Sequence, residues 1–150
     1  MSTLDELRTH WREHRSNDVT LEQVEQRIAD LELKYEVRLP EEFRAYLLWS
    51  CPTDENWDDD YTTWWPVDSI KNIPDEYEYP IENAEIDQEK DVYLFFADYS
   101  LWCWAWAINC GDSPNRGRVV VVGQPHRFVA DNFGQFIERL IKDWSSVSPT

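Results

Sequence analysis

Two acidic runs carry the side chains best suited to chemistry. Asp54, Glu55, Asp58, Asp59 and Asp60 surround Trp57, and Asp75, Glu76 and Glu78 interleave with Tyr77 and Tyr79. Carboxylates beside a large ring suit the recognition of a basic protein surface: the charges steer the encounter, and the ring contributes area that is desolvated on binding. The same runs also read as solvated loops that keep the chain soluble.

Other chemistries find less support. An EF-hand needs a glycine at its turn and a glutamate at the loop's end, and neither aligns with these acids, so no calcium site is expected. His10 and His14 share one face of a helix, but no HExxH glutamate or third ligand accompanies them, and they read as surface residues. Trp102, Trp104 and Trp106 alternate as a sugar-stacking or base-stacking platform would, and also as the buried side of a strand would. The apolar run around them favours packing. His126 is the only histidine in the second half, and no GxSxG, phosphate-loop or Cys-His pattern supplies a nucleophile and its base. Paired carboxylates hydrolyse glycosides when held across a cleft, but among 30 acids some pair always falls close. Neither catalysis nor a cofactor is expected.

Charge narrows the partners. The chain carries a formal net charge of -16, and residues 51–100, with 15 acids and 2 bases, hold -13 of it. A field of that sign repels nucleic-acid phosphates and anionic membranes and attracts basic proteins. Direct contact with nucleic acid or membrane is not expected. No stretch approaches the ~20 apolar residues of a membrane span, and the first residues lack the basic and apolar regions of a signal peptide. Cys51, Cys103 and Cys110 form no CxxC pair and leave one thiol over whichever two are joined. They read as reduced, and the chain as cytoplasmic.

These residues must be positioned by one domain over 1–150, since a globule of this length hides roughly 68–70% of its unfolded surface and has nine Trp, seven Tyr and six Phe to fill a core. Leu4, Leu7 and Trp11 recur at helical spacing behind Ser2, and Thr20 with Gln23 makes a capping box ahead of Val24, Ile28, Leu31 and Tyr35. Pro40, Glu41 and Glu42 open a third helix carrying Phe43, Tyr46 and Leu47. Residues 52–90 mix Pro, Asn, Asp and Glu without a lasting period, which predicts long acidic loops and a short strand near 61–65. Short β-prone runs at 92–97, 101–108, 118–122 and 127–130 predict an antiparallel meander, with the second strand central because both its faces are apolar. Asp131 is placed to cap a last helix with Phe133, Phe136, Ile137, Leu140, Ile141 and Trp144 on one stripe, and 145–150 reads as a fraying tail. The fold class is α+β: N-terminal helices, a central antiparallel sheet, and a C-terminal helix packed on it.

Leu39-Pro40-Glu41-Glu42-Phe43 after an acidic helix, Phe95-Phe96-Ala97-Asp98, the apolar strand through Ile108, Val119 to Gly123, and Val129-Ala130-Asp131-Asn132-Phe133 leading to Phe136-Ile137 follow one another as in the SUKH superfamily, which the chain resembles over about 20–142. Relatives usually have a glycine where Glu36 stands, an Asn-Gly ending to the third helix at Ser50-Cys51-Pro52, and a glycine-rich turn at Tyr99-Ser100-Leu101. The resemblance implies a non-enzymatic α+β domain. In bacteria such domains serve as immunity proteins that bind a cognate toxin, often a nuclease; in fungi they regulate cell-wall synthesis.

The expected function is accordingly a cytoplasmic immunity protein that neutralises a basic toxin through its acidic surface, with Asp54, Glu55, Trp57, Asp58, Asp59, Asp60, Asp75, Glu76 and Glu78 as partner-binding residues. The alternatives are a regulatory protein-binding scaffold and a carbohydrate-binding protein. A monomer is the simplest oligomeric expectation.

Overall fold

The computed structural model describes residues 21–50, 56–57, 62–123 and 125–149. The helix expected from Leu4 to Trp11, the pair His10 and His14, and the Thr20 cap lie outside the described residues, as do Asp54, Glu55, Asp58, Asp59 and Asp60.

Helix α1 (Leu21–Tyr35) buries Val24, Ile28 and Leu31, one stripe at helical spacing. It ends on Glu36, whose φ of 54° is left-handed. The Val37 N–H donates to the Glu32 carbonyl at 3.0 Å and the Glu36 N–H to the Leu33 carbonyl at 3.4 Å, the paired bonds of a Schellman cap. The Glu32 carboxylate accepts the Leu39 N–H at 2.9 Å and Arg44 at 3.2 Å, tying α1 to helix α2 (Glu41–Ser50). Helix α2 buries Phe43, Tyr46 and Leu47.

Among the described residues, six antiparallel strands form one sheet in chain order: β1 (Asn56–Trp57), β2 (Thr62–Trp64), β3 (Tyr93–Tyr99), β4 (Trp104–Asn109), β5 (Val119–Val122) and β6 (Arg127–Ala130). Strand β4 lies inside the sheet, and its Ala105 to Ile108 are buried together with all four valines of β5. Both faces are therefore covered. A bulge in β3 sets Phe95 opposite Ala107 and Ala97 opposite Trp106, leaving Phe96 as the extra residue. The Phe96 ring meets Phe43, Phe133 and Phe136, while Phe95 meets Trp65 and Trp102. Each fully buried ring of this set contributes a few kcal/mol by the usual ~25 cal/mol per Å².

Four expectations change. Residues 52–90 are not simply loops: helices α3 (Ile73–Glu76) and α4 (Ala84–Gln88) and 3-10 turns at Val67–Ser69 and Lys90–Val92 punctuate them. Asn72 and Asn83 supply the caps that periodicity cannot reveal in helices of one turn. Trp102 belongs to the turn before β4, not to the strand, so it does not share a buried row with Trp106. Helix α5 (Phe133–Lys142) is capped by Asn132, which accepts the Gln135 N–H at 2.8 Å, and not by Asp131. Its stripe buries Phe133, Phe136, Ile137 and Leu140, whereas Ile141 and Trp144 reach solvent.

The tail is the fourth correction. Trp144–Val147 form a 3-10 turn with Val147 fully buried. The Trp106 indole N–H donates to the Val147 carbonyl at 2.8 Å, and the Arg127 Nε donates to the Ser148 carbonyl at 2.8 Å. A single apolar residue flanked by serines gives no periodic signal, but a buried indole needs an acceptor and takes the tail backbone. No helix among the described residues is long and apolar enough to cross a membrane.

Candidate functional site

At one end of the sheet, residues 76–83, the β3–β4 turn, the β5–β6 turn and Pro149 of the tail line an open groove of about 1570 Å³. Asn72 starts the first segment by accepting the Asp75 N–H at 3.0 Å, with Pro74 in the first turn of α3. The Tyr35 hydroxyl donates to Asp75 Oδ2 at 2.7 Å, fastening α3 to the end of α1. Burial and that carboxylate push the Tyr35 phenol up to about 12.

Helix α3 delivers Glu76 and Tyr77 to the groove. Glu76 Oε2 accepts the Trp102 indole N–H at 3.1 Å, and Glu76 Oε1 lies 3.7 Å from the Lys71 ammonium. The Tyr77 ring stacks on the Trp102 indole, with centroids 5.8 Å apart and planes at 11°. Tyr79 and His126 meet Tyr77 edge-on at 5.4 and 5.7 Å. Burial raises the Tyr77 phenol above its ordinary range, reinforced by Tyr79 and Glu82.

The β3–β4 turn is unusual in its backbone. Ser100, Leu101 and Trp102 all have left-handed φ values, 47°, 57° and 67°, and none is a glycine. The Cys103 N–H closes the turn on the Tyr99 carbonyl at 2.8 Å, and its thiol, exposed, faces the Ser100 carbonyl at 3.1 Å. This backbone swings the Trp102 indole away from the β4 row and onto Tyr77 and Phe95. Leu101 is left 80% exposed at the tip.

On the third side, the Gly123 N–H donates to His126 Nδ1 at 3.1 Å, so the neutral imidazole carries its proton on Nε2. Burial holds His126 below its ordinary value, against opposing contributions from the Pro80 backbone and Glu82. Gly123 has to be small: a Cβ there would meet Pro149 Cγ at 2.8 Å and Trp104 Cβ at 3.0 Å.

Of the acids named from the sequence, Asp75 is exposed and engaged by Tyr35, Glu76 is half-buried against Trp102, and Glu78 is exposed on the groove. Trp57 belongs to β1, and its side chain, like the acids around it, lies outside what is described. The structure adds Glu82, Trp102 and His126, which come from segments far apart in the chain. Among the described residues Glu78 and Glu82 form no ion pair, no Lys or Arg lines the groove, and no cluster fit to hold a metal ion occurs. Carboxylates beside aromatic faces suit a cationic partner group.

A second cluster is structural. Glu89 accepts Ser113 Oγ at 2.6 Å and the amides of Asn115 and Asn109 at 2.5 and 3.3 Å, pinning the β4–β5 connection to the end of α4. Burial alone would raise the Glu89 carboxyl, but these hydrogen bonds outweigh it and hold it below the usual range.

No curated protein matches the chain. The profile of the SMI1 / KNR4 family (SUKH-1) matches residues 24–139, from α1 through the sheet to the middle of α5. The match covers most of the chain and includes residues 76–83, the β3–β4 turn and the β5–β6 turn, and the protein belongs to that family.

Proposed function

We propose that the protein is a non-catalytic, cytoplasmic immunity protein that neutralises a basic bacterial toxin by occluding it. The observation that carries this reading is the groove, acidic and aromatic, set in a chain whose net charge is -16. Family membership supports it, because bacterial members of the superfamily resembled by this sequence bind toxins, often nucleases. A nuclease must present a basic surface to nucleic acid. An acidic protein can occupy that surface, or sit beside it, and exclude the substrate.

Co-expression is the test. Cells producing a toxin encoded beside this protein should survive when the protein is supplied and die when it is withheld. Death in both cases, for every such toxin, contradicts the proposal and leaves the regulatory scaffold as the reading to pursue.

A further inference from the structure

Resting on that reading, we infer that the groove is the docking site for an arginine-bearing segment of the partner, with a guanidinium held between the Tyr77–Trp102–Tyr79 rings and the carboxylates of Glu78 and Glu82. The groove's volume, about 1570 Å³, exceeds the roughly 300–1,000 Å³ of small-molecule sites and suits a protein segment. Its charge selects a cation. Glu76 is already engaged by Lys71 and Trp102, whereas Glu78 and Glu82 form no ion pair among the described residues and stand exposed. His126, neutral at physiological pH, adds no positive charge.

The ring arrangement selects arginine over lysine. A guanidinium is planar, stacks on aromatic faces and donates two parallel N–H bonds to a carboxylate, whereas an ammonium is a compact and strongly hydrated point charge. Tyr79, 71% exposed, offers an open ring beside the Tyr77–Trp102 stack. The three left-handed residues of the β3–β4 turn aim Trp102 at Tyr77 and Phe95. Backbone held in sparsely populated regions is retained where the surroundings determine it, and here it completes the aromatic wall.

The test uses the full chain and a tetra-arginine peptide, with tetra-lysine as comparator, followed by NMR of the tryptophan and tyrosine side chains at low salt. The expected result is a shift of the Trp102 indole and Tyr77 signals that is larger for arginine and is lost in Glu78→Lys/Glu82→Lys. Exposed Glu22 and Glu25 on α1 provide the control, since Glu22→Lys/Glu25→Lys changes net charge equally and should retain the shift. Equal response to the two peptides, or shifts spread over the surface and away from the groove, overturns the inference. With a toxin that the wild-type protein binds, the groove double variant should weaken affinity at least about tenfold, as loss of facing charges does. A toxin bound equally by both removes the groove and leaves the immunity reading standing, whereas a wild-type protein that binds none removes that reading.

Discussion

The Trp102 indole donates its N–H to the Glu76 carboxylate at 3.1 Å while its face rests on Tyr77, so one side chain joins the β3–β4 turn to α3 in two ways. Stacked rings contribute about 0.5–1.5 kcal/mol beyond area, and a hydrogen bond to a charged group about 1.5–3 kcal/mol, less when half-exposed. Trp102→Ala should therefore lower stability by about 1–3 kcal/mol in urea unfolding. Far-UV circular dichroism should stay native, because the sheet core does not include this indole.

Glu36 closes α1 in a conformation that only glycine adopts without steric conflict, and a non-glycine residue there is disfavoured by roughly 1–2 kcal/mol. Part of that is returned through the freer unfolded chain. Glu36→Gly should raise the urea midpoint by an amount equivalent to about 0.5–1 kcal/mol, with an unchanged slope. A drop in midpoint would show that the Glu36 side chain stabilises α1 more than its backbone strains it.

Val147 anchors the C-terminal turn beneath Trp106. Val147→Ala removes buried methyls and should cost about 1–3 kcal/mol, while ending the chain before Val147 also leaves the buried Trp106 N–H without its acceptor and should cost more. Thermal unfolding of the two forms measures the difference. A tail that contributes nothing would leave both melting temperatures at the wild-type value.

His126 gives the fold a pH dependence. In an unfolded chain a histidine titrates near 6.5, and burial in the folded protein lowers that value. Below pH 6.5 the unfolded state therefore takes up the proton first, and stability falls as pH decreases toward the folded value, then levels as far as this group is concerned. Protonation also removes the Nδ1 lone pair that accepts the Gly123 N–H. His126→Gln should flatten the stability profile just below pH 6.5, and an unchanged slope would place the titration elsewhere.

The sheet was legible because its strands are short β-prone runs bounded by turn residues, and β4 announced its central place through apolar residues on both faces. The helix stripes at Val24, Ile28 and Leu31 and at Phe133, Phe136, Ile137 and Leu140 were legible for the same reason of period. What escaped is non-periodic: one-turn helices set by Asn72 and Asn83, and a tail held by one valine and three backbone carbonyls. For the site, the acids were visible as a run, but their partners were not. Tyr77, Trp102 and His126 meet only through tertiary folding, and the left-handed backbone at Ser100, Leu101 and Trp102 that brings the indole to Tyr77 leaves no periodic signal in the sequence.

The central claim is that this acidic protein binds a basic toxin directly. Calorimetric titration of the full chain into a catalytically inactivated toxin domain encoded beside it, at low and at high salt, measures that most directly. The account predicts tight binding at low salt that weakens as salt screens the facing charges. Absence of binding at either salt would contradict it.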